Sequence, residues 1–436
     1  MIFFRVSNNV NIKITDGSLV VYKKIKQASL LDNEEIYCTT YEDFLDIEKV
    51  FARIDESYKA RILDENKVRQ IDSFPIELGL SNQNEFKRIK AFEIATQKAH
   101  FLNETLKNES CSLFLQTQQK AILHTQLTKE ATEISVAIIG GVGRDIGEMV
   151  ASIPALRILY EELKTVYNEV KIDIYLNASS NSYYSRDKEI LSELAFIHSI
   201  QPLSLSFKTF CSYDYYIDNS LISHQCFYDE LPYVDAYLHK FGLDYQNIKQ
   251  YRKHNEISLK NYAIKMELNE KLLSLKKQHK LLLFHPFSAH NKRSIPIELS
   301  KKILKKVLLR AEDYMVVTLL DVEGVKANNY VNLTKYSKSF RDFAYIISQM
   351  DRILTVDTAT YHIAEAFFIP TLVMFSNDKM EQRLAYYEHV KGIEVKDKTK
   401  PLSKFIFENE KLNLYHFDNW QSLKVGKVMK LLEKIG

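Results

Sequence analysis

The sequence predicts an α/β protein: two doubly wound domains, residues 131–255 and 270–436, facing a cleft, preceded by a smaller α+β module over residues 1–130. Three observations carry this. From Ile134 onward, short apolar runs alternate with stretches of helical periodicity, the pattern of parallel sheets covered by helices. A polar stretch rich in Lys and Asn, 247–269, divides that alternation into two blocks. Glycine is scarce, 11 in 436 residues, yet four of the 11 lie between Gly140 and Gly147, where the first block turns from strand to helix.

The module before residue 130 shows strand-like runs at Ile2–Val6 and Ser18–Tyr22 and helical stretches at about Glu42–Ser57 and Glu85–Lys129, with no chemical motif. Docking or oligomerisation suits it. In the first block, Ser135–Ile139 is an apolar run ending in glycines, as in a buried parallel strand. Met149, Ile153, Leu156, Tyr160 and Leu163 recur at helical spacing, and Pro154 marks either a kink or a helix start near Ser152. Val170–Leu176 reads as a strand, Asp187–Leu194 as a helix and Tyr213–Ile217 as a strand. Pro232–Phe241 reads as a helix closed by Gly242. The second block reads as strand Lys280–Phe284, helix Ile297–Arg310, strand Tyr314–Leu320, helix Phe340–Gln349, strand Arg352–Val356 and helix Thr360–Phe368. Pro370–Phe375 is expected to be the last core strand, and Asn419–Lys434 a terminal amphipathic helix. Such sheets bind ligands beyond the carboxyl ends of their strands, at the point where strand order reverses.

Composition removes several classes. With 59 Lys+Arg against 56 Asp+Glu the net charge is +3, unlike a dedicated nucleic-acid binder. A chain 46% hydrophobic and 26% charged is globular, not disordered. Cys38, Cys111, Cys211 and Cys226 are widely spaced with no C-x-x-C, so neither a disulfide framework nor a zinc ribbon is expected and a reducing compartment fits. The apolar run at Met1–Ser7 is too short for a signal peptide. Ile363–Phe375, interrupted by Glu365 and Pro370, falls short of the roughly 20 residues that span a membrane. The expected location is the cytoplasm, with peripheral contact at the inner face of the membrane left open.

Three stretches could carry chemistry. Gly140–Glu148 sits at a strand-to-helix turn, where glycines let a backbone approach a ligand and a helix start attracts anions. Its spacing, G-x-G-x-x-x-G, is a weak match to a dinucleotide fingerprint. Asp145 and Glu148 are carboxylates at its mouth, either of which could serve as general base. His285–Pro296 leaves a strand and offers Ser288, Lys292 and Arg293, groups suited to a diphosphate. Residues 271–310 hold 11 Lys/Arg against one acid, Glu298, a net of +10; Lys301, Lys302, Lys305 and Lys306 read as a solvated helix face. In the third stretch Asp357 closes a buried strand before Thr358, Ala359, Thr360 and His362. Asp357 could cap the following helix, and the helix start could hold an anion. No Asp-x-Asp, H-E-x-x-H or C-x-x-C occurs, and His362–Glu365 lacks an evident third ligand, so no metal and no other cofactor is expected.

These three elements, in this order, resemble the family 9 glycosyltransferases, which include the ADP-heptose:lipopolysaccharide heptosyltransferases. The first is Gly147-Glu148, five residues, then Pro154-Ala155-Leu156. The second is Pro286-Phe-Ser-Ala followed by Lys292-Arg293-Ser-Ile-Pro296. The third is Asp357-Thr358-Ala359-Thr360-Tyr361-His362. The likeness covers about residues 134–376. In this chain Glu148 stands for the family's catalytic aspartate, Ala359 for a glycine, and the tryptophan of the second motif is absent.

The resemblance implies the GT-B architecture, with residues 131–255 on the acceptor side and 270–436 on the nucleotide-sugar side. It implies an inverting, metal-independent transfer of a heptose or related sugar from a nucleotide-diphospho-sugar, ADP-linked favoured. The acceptor would be a hydroxyl of a glycan or lipid-linked molecule, as in lipopolysaccharide synthesis. Glu148 would be the base, with Asp145 as its competitor. Ser288, Lys292, Arg293, Thr358, Ala359 and Thr360 would hold the diphosphate. Asp357, His362 and Glu323 would meet the donor sugar or nucleoside, and Gly141, Gly143 and Gly147 would shape the acceptor loop. Residues 1–130 would serve docking, acceptor recognition or a homo-oligomer. Two rivals remain: a non-catalytic nucleotide- or sugar-binding protein of the same fold, and an NAD(P)-dependent oxidoreductase using the Gly140–Gly147 turn.

Overall fold

The computed structural model describes residues 1–6, 10–15, 18–23, 36–54, 60–81, 121–177, 183–203, 205–289, 293–319, 324–376, 379–395, 420 and 423–435. Of the expected helix Glu85–Lys129, residues 85–120 lie outside them, as do Lys292 and Glu323; within 121–129 only Leu123–Gln126 is helical. The chain divides into two compact units, Met1–Val142 with Ser152–Arg252, and Gly143–Ala151 with Lys253–Gly436.

The first unit is built on a five-stranded, all-parallel sheet in the order Ile76–Glu77, Tyr215–Asp218, Glu133–Ile139, Glu169–Leu176, Ser199–Pro202. The central strand buries Val136, Ala137, Ile138 and Ile139, the continuous apolar run that a strand covered on both faces needs. Strand order reverses there, since Glu169–Leu176 lies on one side and Tyr215–Asp218 on the other. The helix Ile146–Lys164 follows that strand and runs through Pro154, so the proline neither starts nor ends it. It costs the helix one hydrogen bond, the one Val150's carbonyl would have accepted. The other helices come close to expectation, at Tyr184–Leu191 and Tyr233–Lys240, the latter ended by Gly242 at φ +75°.

Residues before 130 share sheets with later ones. Ile76–Glu77 is the edge strand of the parallel sheet, paired with Tyr215–Tyr216. Leu205–Ser206, from beyond that boundary, adds to the antiparallel sheet of Ile36–Thr39, Ile2–Val6 and Ala60–Ile62. Leu78 and Leu123 are fully buried, and the Gln126 amide closes on Gly79 through both its N–H (2.7 Å) and its carbonyl (3.1 Å). The two-residue strand at 76–77 left no alternating signature to read in the sequence.

The second unit carries a six-stranded parallel sheet in the order Tyr330–Asn332, Tyr314–Thr318, Lys280–His285, Arg352–Val356, Thr371–Phe375, Val390–Glu394. In chain order this is 3-2-1-4-5-6, the doubly wound dinucleotide-fold arrangement. Val390–Glu394 lies beyond the strand expected to be last. Its Lys391, Gly392 and Glu394 are what an edge tolerates and what hid it. Ile297–Leu308 buries Ile303, Leu304, Val307 and Leu308 and turns Lys302, Lys305 and Lys306 to solvent. Val425–Leu432 closes the core with Val425, Val428, Met429 and Leu432, beside buried Trp420. Among the described residues no helix is long and apolar enough to cross a membrane.

Gly79 tests whether residues 76–81 belong to the first unit's core. It has φ +74°, and a Cβ there would lie 2.2 Å from the Lys240 carbonyl oxygen. Gly79→Ala should cost about 2–4 kcal/mol, the sum of a left-handed non-glycine residue and an unrelieved overlap. Denaturant unfolding checks it, and a change under 0.5 kcal/mol would separate this segment from the core.

Candidate functional site

The reversal of strand order in the second unit lies between Lys280–His285 and Arg352–Val356. The two strand ends are tied by Thr355, whose hydroxyl donates to the His285 carbonyl at 2.9 Å. Beyond them emerge two of the three stretches singled out in the sequence, the 286–296 loop and Asp357–His362.

The loop is held by its own backbone and serines. Ile295 N–H donates to the Pro286 carbonyl at 2.9 Å. Ser294 Oγ accepts from Ser288 N–H at 2.8 Å and donates to the Ser288 carbonyl at 3.0 Å. With Ile295 fully buried as its anchor, the loop returns Arg293 to the strand ends, where Nε lies 3.4 Å from Asp357 Oδ2.

Asp357 does not cap the next helix. The capping position of Ala359–Ala366 is Thr358, in extended conformation and with no side-chain capping bond. Asp357 is buried, accepts from the Tyr361 hydroxyl at 3.1 Å and faces Arg293. Thr358 and Ala359 are half-buried at the helix start, whereas Thr360 is fully buried with its hydroxyl on the His285 ring. Burial pulls His285 down to about 4, so that contact involves a neutral imidazole. Thr360 can therefore offer its amide to a ligand more readily than its hydroxyl.

Of the remaining stretch, Gly140–Glu148, the part from Gly143 onward packs here as well. Gly140, Gly141 and Gly143 all have positive φ, which accounts for three of the clustered glycines. Their missing Cβ atoms are needed by the protein itself: added ones would meet Ser220, Leu176 and the Glu148–Met149 backbone. Gly147 differs, because its φ is ordinary. A Cβ on it would sit 2.7 Å from His362 Cδ2 and 3.3 Å from the Ala359 Cα. The first turn of Ile146–Lys164 thus lies directly on the first turn of Ala359–Ala366, within one unit.

The two candidate carboxylates are told apart by their partners. Asp145 Oδ1 accepts from Glu148 N–H at 2.9 Å, three residues on, as a helix cap does. Glu148, only 4% exposed, accepts from Arg144 N–H at 3.0 Å and from the Arg144 guanidinium at 3.1 Å. It also acts electrostatically on His362, across Gly147. His362 is held well below its ordinary value by burial first, then by Arg383 and Arg293, against the opposing pull of Glu148.

Glu148, Gly147, Arg293, Asp357, Thr358, Ala359, Thr360 and His362 are therefore brought together, with Asp145 as the cap behind them. Ser288 lies on the adjoining loop, and Gly141 belongs to the first unit. Sequence reasoning missed Arg144, which lies inside the first stretch but was given no role, and Asn255, Arg383 and Tyr387, which stand outside the motifs and come into range only through the fold. Glu365, the partner of His362 in H-x-x-E, accepts from the backbone N–H groups of Glu388 (2.9 Å) and His389 (3.1 Å) and is a structural clamp.

No protein-family model matches this chain, and no curated protein matches it in sequence. Several solved structures are similar in chain course. A family 9 glycosyl transferase from Veillonella parvula is 11% identical with a TM-score of 0.47, over 70% of this chain and 98% of that one. E. coli ADP-heptose lps heptosyltransferase II is 14% identical with a TM-score of 0.42, over 60% of this chain and 90% of that one. The iron-containing dodecameric glycosyltransferase TibC from enterotoxigenic E. coli is 9% identical with a TM-score of 0.43, over 69% of this chain and 78% of that one.

The assignment of Asp145 as a cap has a direct check. Asp145→Ala should lower stability by about 0.5–2 kcal/mol, while Asp145→Asn, an equally good cap, should lose only a few tenths. Equal losses in thermal unfolding would mean that the aspartate charge, not the cap, is what the site uses.

Proposed function

We propose that this chain is an inverting, metal-independent glycosyltransferase that moves a heptose or related sugar from an ADP-linked donor to a hydroxyl of a glycan or lipid-linked acceptor. The observation that carries the reading is the contact of Gly147 with Ala359 and His362, which joins a carboxylate to an anion-attracting helix start. The sugar class and the nucleotide are what the family resemblance of the ordered motifs implies.

In this reading the diphosphate lies beyond the strand ends His285 and Val356. The Arg293 guanidinium and the N–H groups at Thr358–Thr360 face its charge, with Lys292 and Ser288 from the neighbouring loop in the same role. These groups are preorganised for the charge that grows on the leaving diphosphate, where electrostatic stabilisation lowers a barrier most. The acceptor oxygen forms its bond to the anomeric carbon from the face opposite the diphosphate. The carbon–oxygen bond to the diphosphate breaks, and its electron pair leaves with the phosphate oxygen. The acceptor's proton passes to Glu148. Arg144 pairs with Glu148 beforehand, and with 63% of its own side chain in solvent it can yield as that charge is neutralised. A nicotinamide cofactor finds less support, since the faces of Gly140, Gly141 and Gly143 are taken up by the protein.

Two measurements test this. ADP at 100 times its dissociation constant should stabilise the chain by about 2.7 kcal/mol in a thermal-shift panel that includes UDP, GDP, CMP and NAD. Glu148→Gln should slow single-turnover release of ADP from an ADP-linked sugar by about 10²–10⁴-fold with ADP affinity unchanged, as expected on losing a general base. Stabilisation by NAD alone, or a wild-type rate in Glu148→Gln, would overturn the reading.

A further inference from the structure

Beside His362 lies a chain of hydrogen bonds that no motif contains. Asn255 is buried, and its Nδ2 donates to the His362 carbonyl at 3.0 Å and to the Tyr387 hydroxyl at 2.8 Å. The Tyr387 hydroxyl also meets His362 Nδ1. Tyr387 stands edge-on to the imidazole, and Tyr361 lies against it with ring centroids 4.0 Å apart.

The direction of each bond follows from the groups themselves. A backbone carbonyl can only accept, so the side-chain atom of Asn255 facing the His362 carbonyl must be its NH₂. That leaves the second N–H of the same amide pointing at the Tyr387 oxygen. Tyr387 thus accepts from Asn255 and has one proton of its own to give. Among the described residues its only other hydrogen-bond partner is His362 Nδ1. Nδ1 must therefore accept, and the imidazole's proton sits on Nε2.

We propose that Asn255 and Tyr387 are positioning residues that fix His362 as a neutral imidazole with its proton on Nε2, a hydrogen-bond donor and neither an acid nor a base. Were Nδ1 protonated instead, two donors would point at the Tyr387 oxygen and the buried phenol proton would face none of its partners, a loss comparable to a missing buried hydrogen bond. The charges around the ring act on the same equilibrium. Arg293 and Arg383 oppose a second proton and Glu148 favours one, while burial sides with the arginines. Nε2 lies 3.3 Å from where a Cβ on Gly147 would be, so the protonated nitrogen is at the junction of the two helix starts. A neutral donor there suits an oxygen of the donor sugar or its phosphate, and that ligand assignment rests on the transferase reading; the tautomer does not.

Nitrogen-15 spectra of the full-length protein, labelled at histidine and assigned with a His362→Gln control, decide it. Long-range proton correlations distinguish the two neutral tautomers. The expected result is a protonated Nε2 with an unprotonated Nδ1, unchanged between pH 8 and pH 5.5. Tyr387→Phe and Asn255→Leu should each convert this to a mixture of tautomers, or to protonated Nδ1. A protonated Nδ1 in the wild-type chain, titration of His362 near pH 6.5, or an unaltered tautomer in a folded Tyr387→Phe protein would overturn the proposal. If neither variant folds, the wild-type spectrum alone decides. A chain with the expected tautomer that binds no ADP would uphold the relay and overturn the transferase reading instead.

Discussion

Two helix starts meet at Gly147 with no side chain between them, and the chemistry assigned to this chain depends on that contact. The first turn of Ile146–Lys164 lies against Ala359 and His362 closely enough that one methyl group would overlap the imidazole. Glu148 is the residue after the glycine, and the start of Ala359–Ala366 is the surface it meets. Arg293 comes back from the 286–296 loop to face Asp357 beside that start. A larger residue at position 147 would part the carboxylate from the groups proposed to receive the diphosphate.

The buried carboxylates here are each paired with an arginine. Asp357 has Arg293 and Tyr361 for partners, and Glu148 has Arg144. Buried carboxylates need such partners, because removing a charge from water without compensation costs several kcal/mol. The imidazoles of His285 and His362 are held neutral, chiefly by burial, so they contribute directed hydrogen bonds and no further positive charge. The resulting gradient runs from the arginine and helix start, where a diphosphate would sit, to the carboxylate, where a hydroxyl proton would go.

Much of this was legible in the sequence, and the reasons for the exceptions are physical. Alternating apolar runs and helical periods disclosed the central strands of both parallel sheets, because strands buried on two faces are apolar throughout. Edge strands have no such signature, and Ile76–Glu77, Tyr330–Asn332 and Val390–Glu394 were missed for that reason. A two-residue strand of the same kind joins the early chain to the first unit's parallel sheet. Motif order brought out Glu148, Arg293 and Asp357–His362 and favoured Glu148 over Asp145. The bond from Glu148 N–H to Asp145 Oδ1, which gives Asp145 a capping role, was not legible there. Asn255 and Tyr387 lie 107 and 25 positions from His362, and no local pattern links residues that meet only when the sheet is complete.

Amide hydrogen exchange with and without ADP tests the central claim most directly, since it locates the nucleotide without requiring an acceptor. The account predicts that ADP slows exchange at Thr358–Thr360 and in the 286–296 loop, with little change at Gly140–Gly143. Protection confined to the Gly140–Gly143 turn, or none in the second unit under saturating ADP, would contradict it.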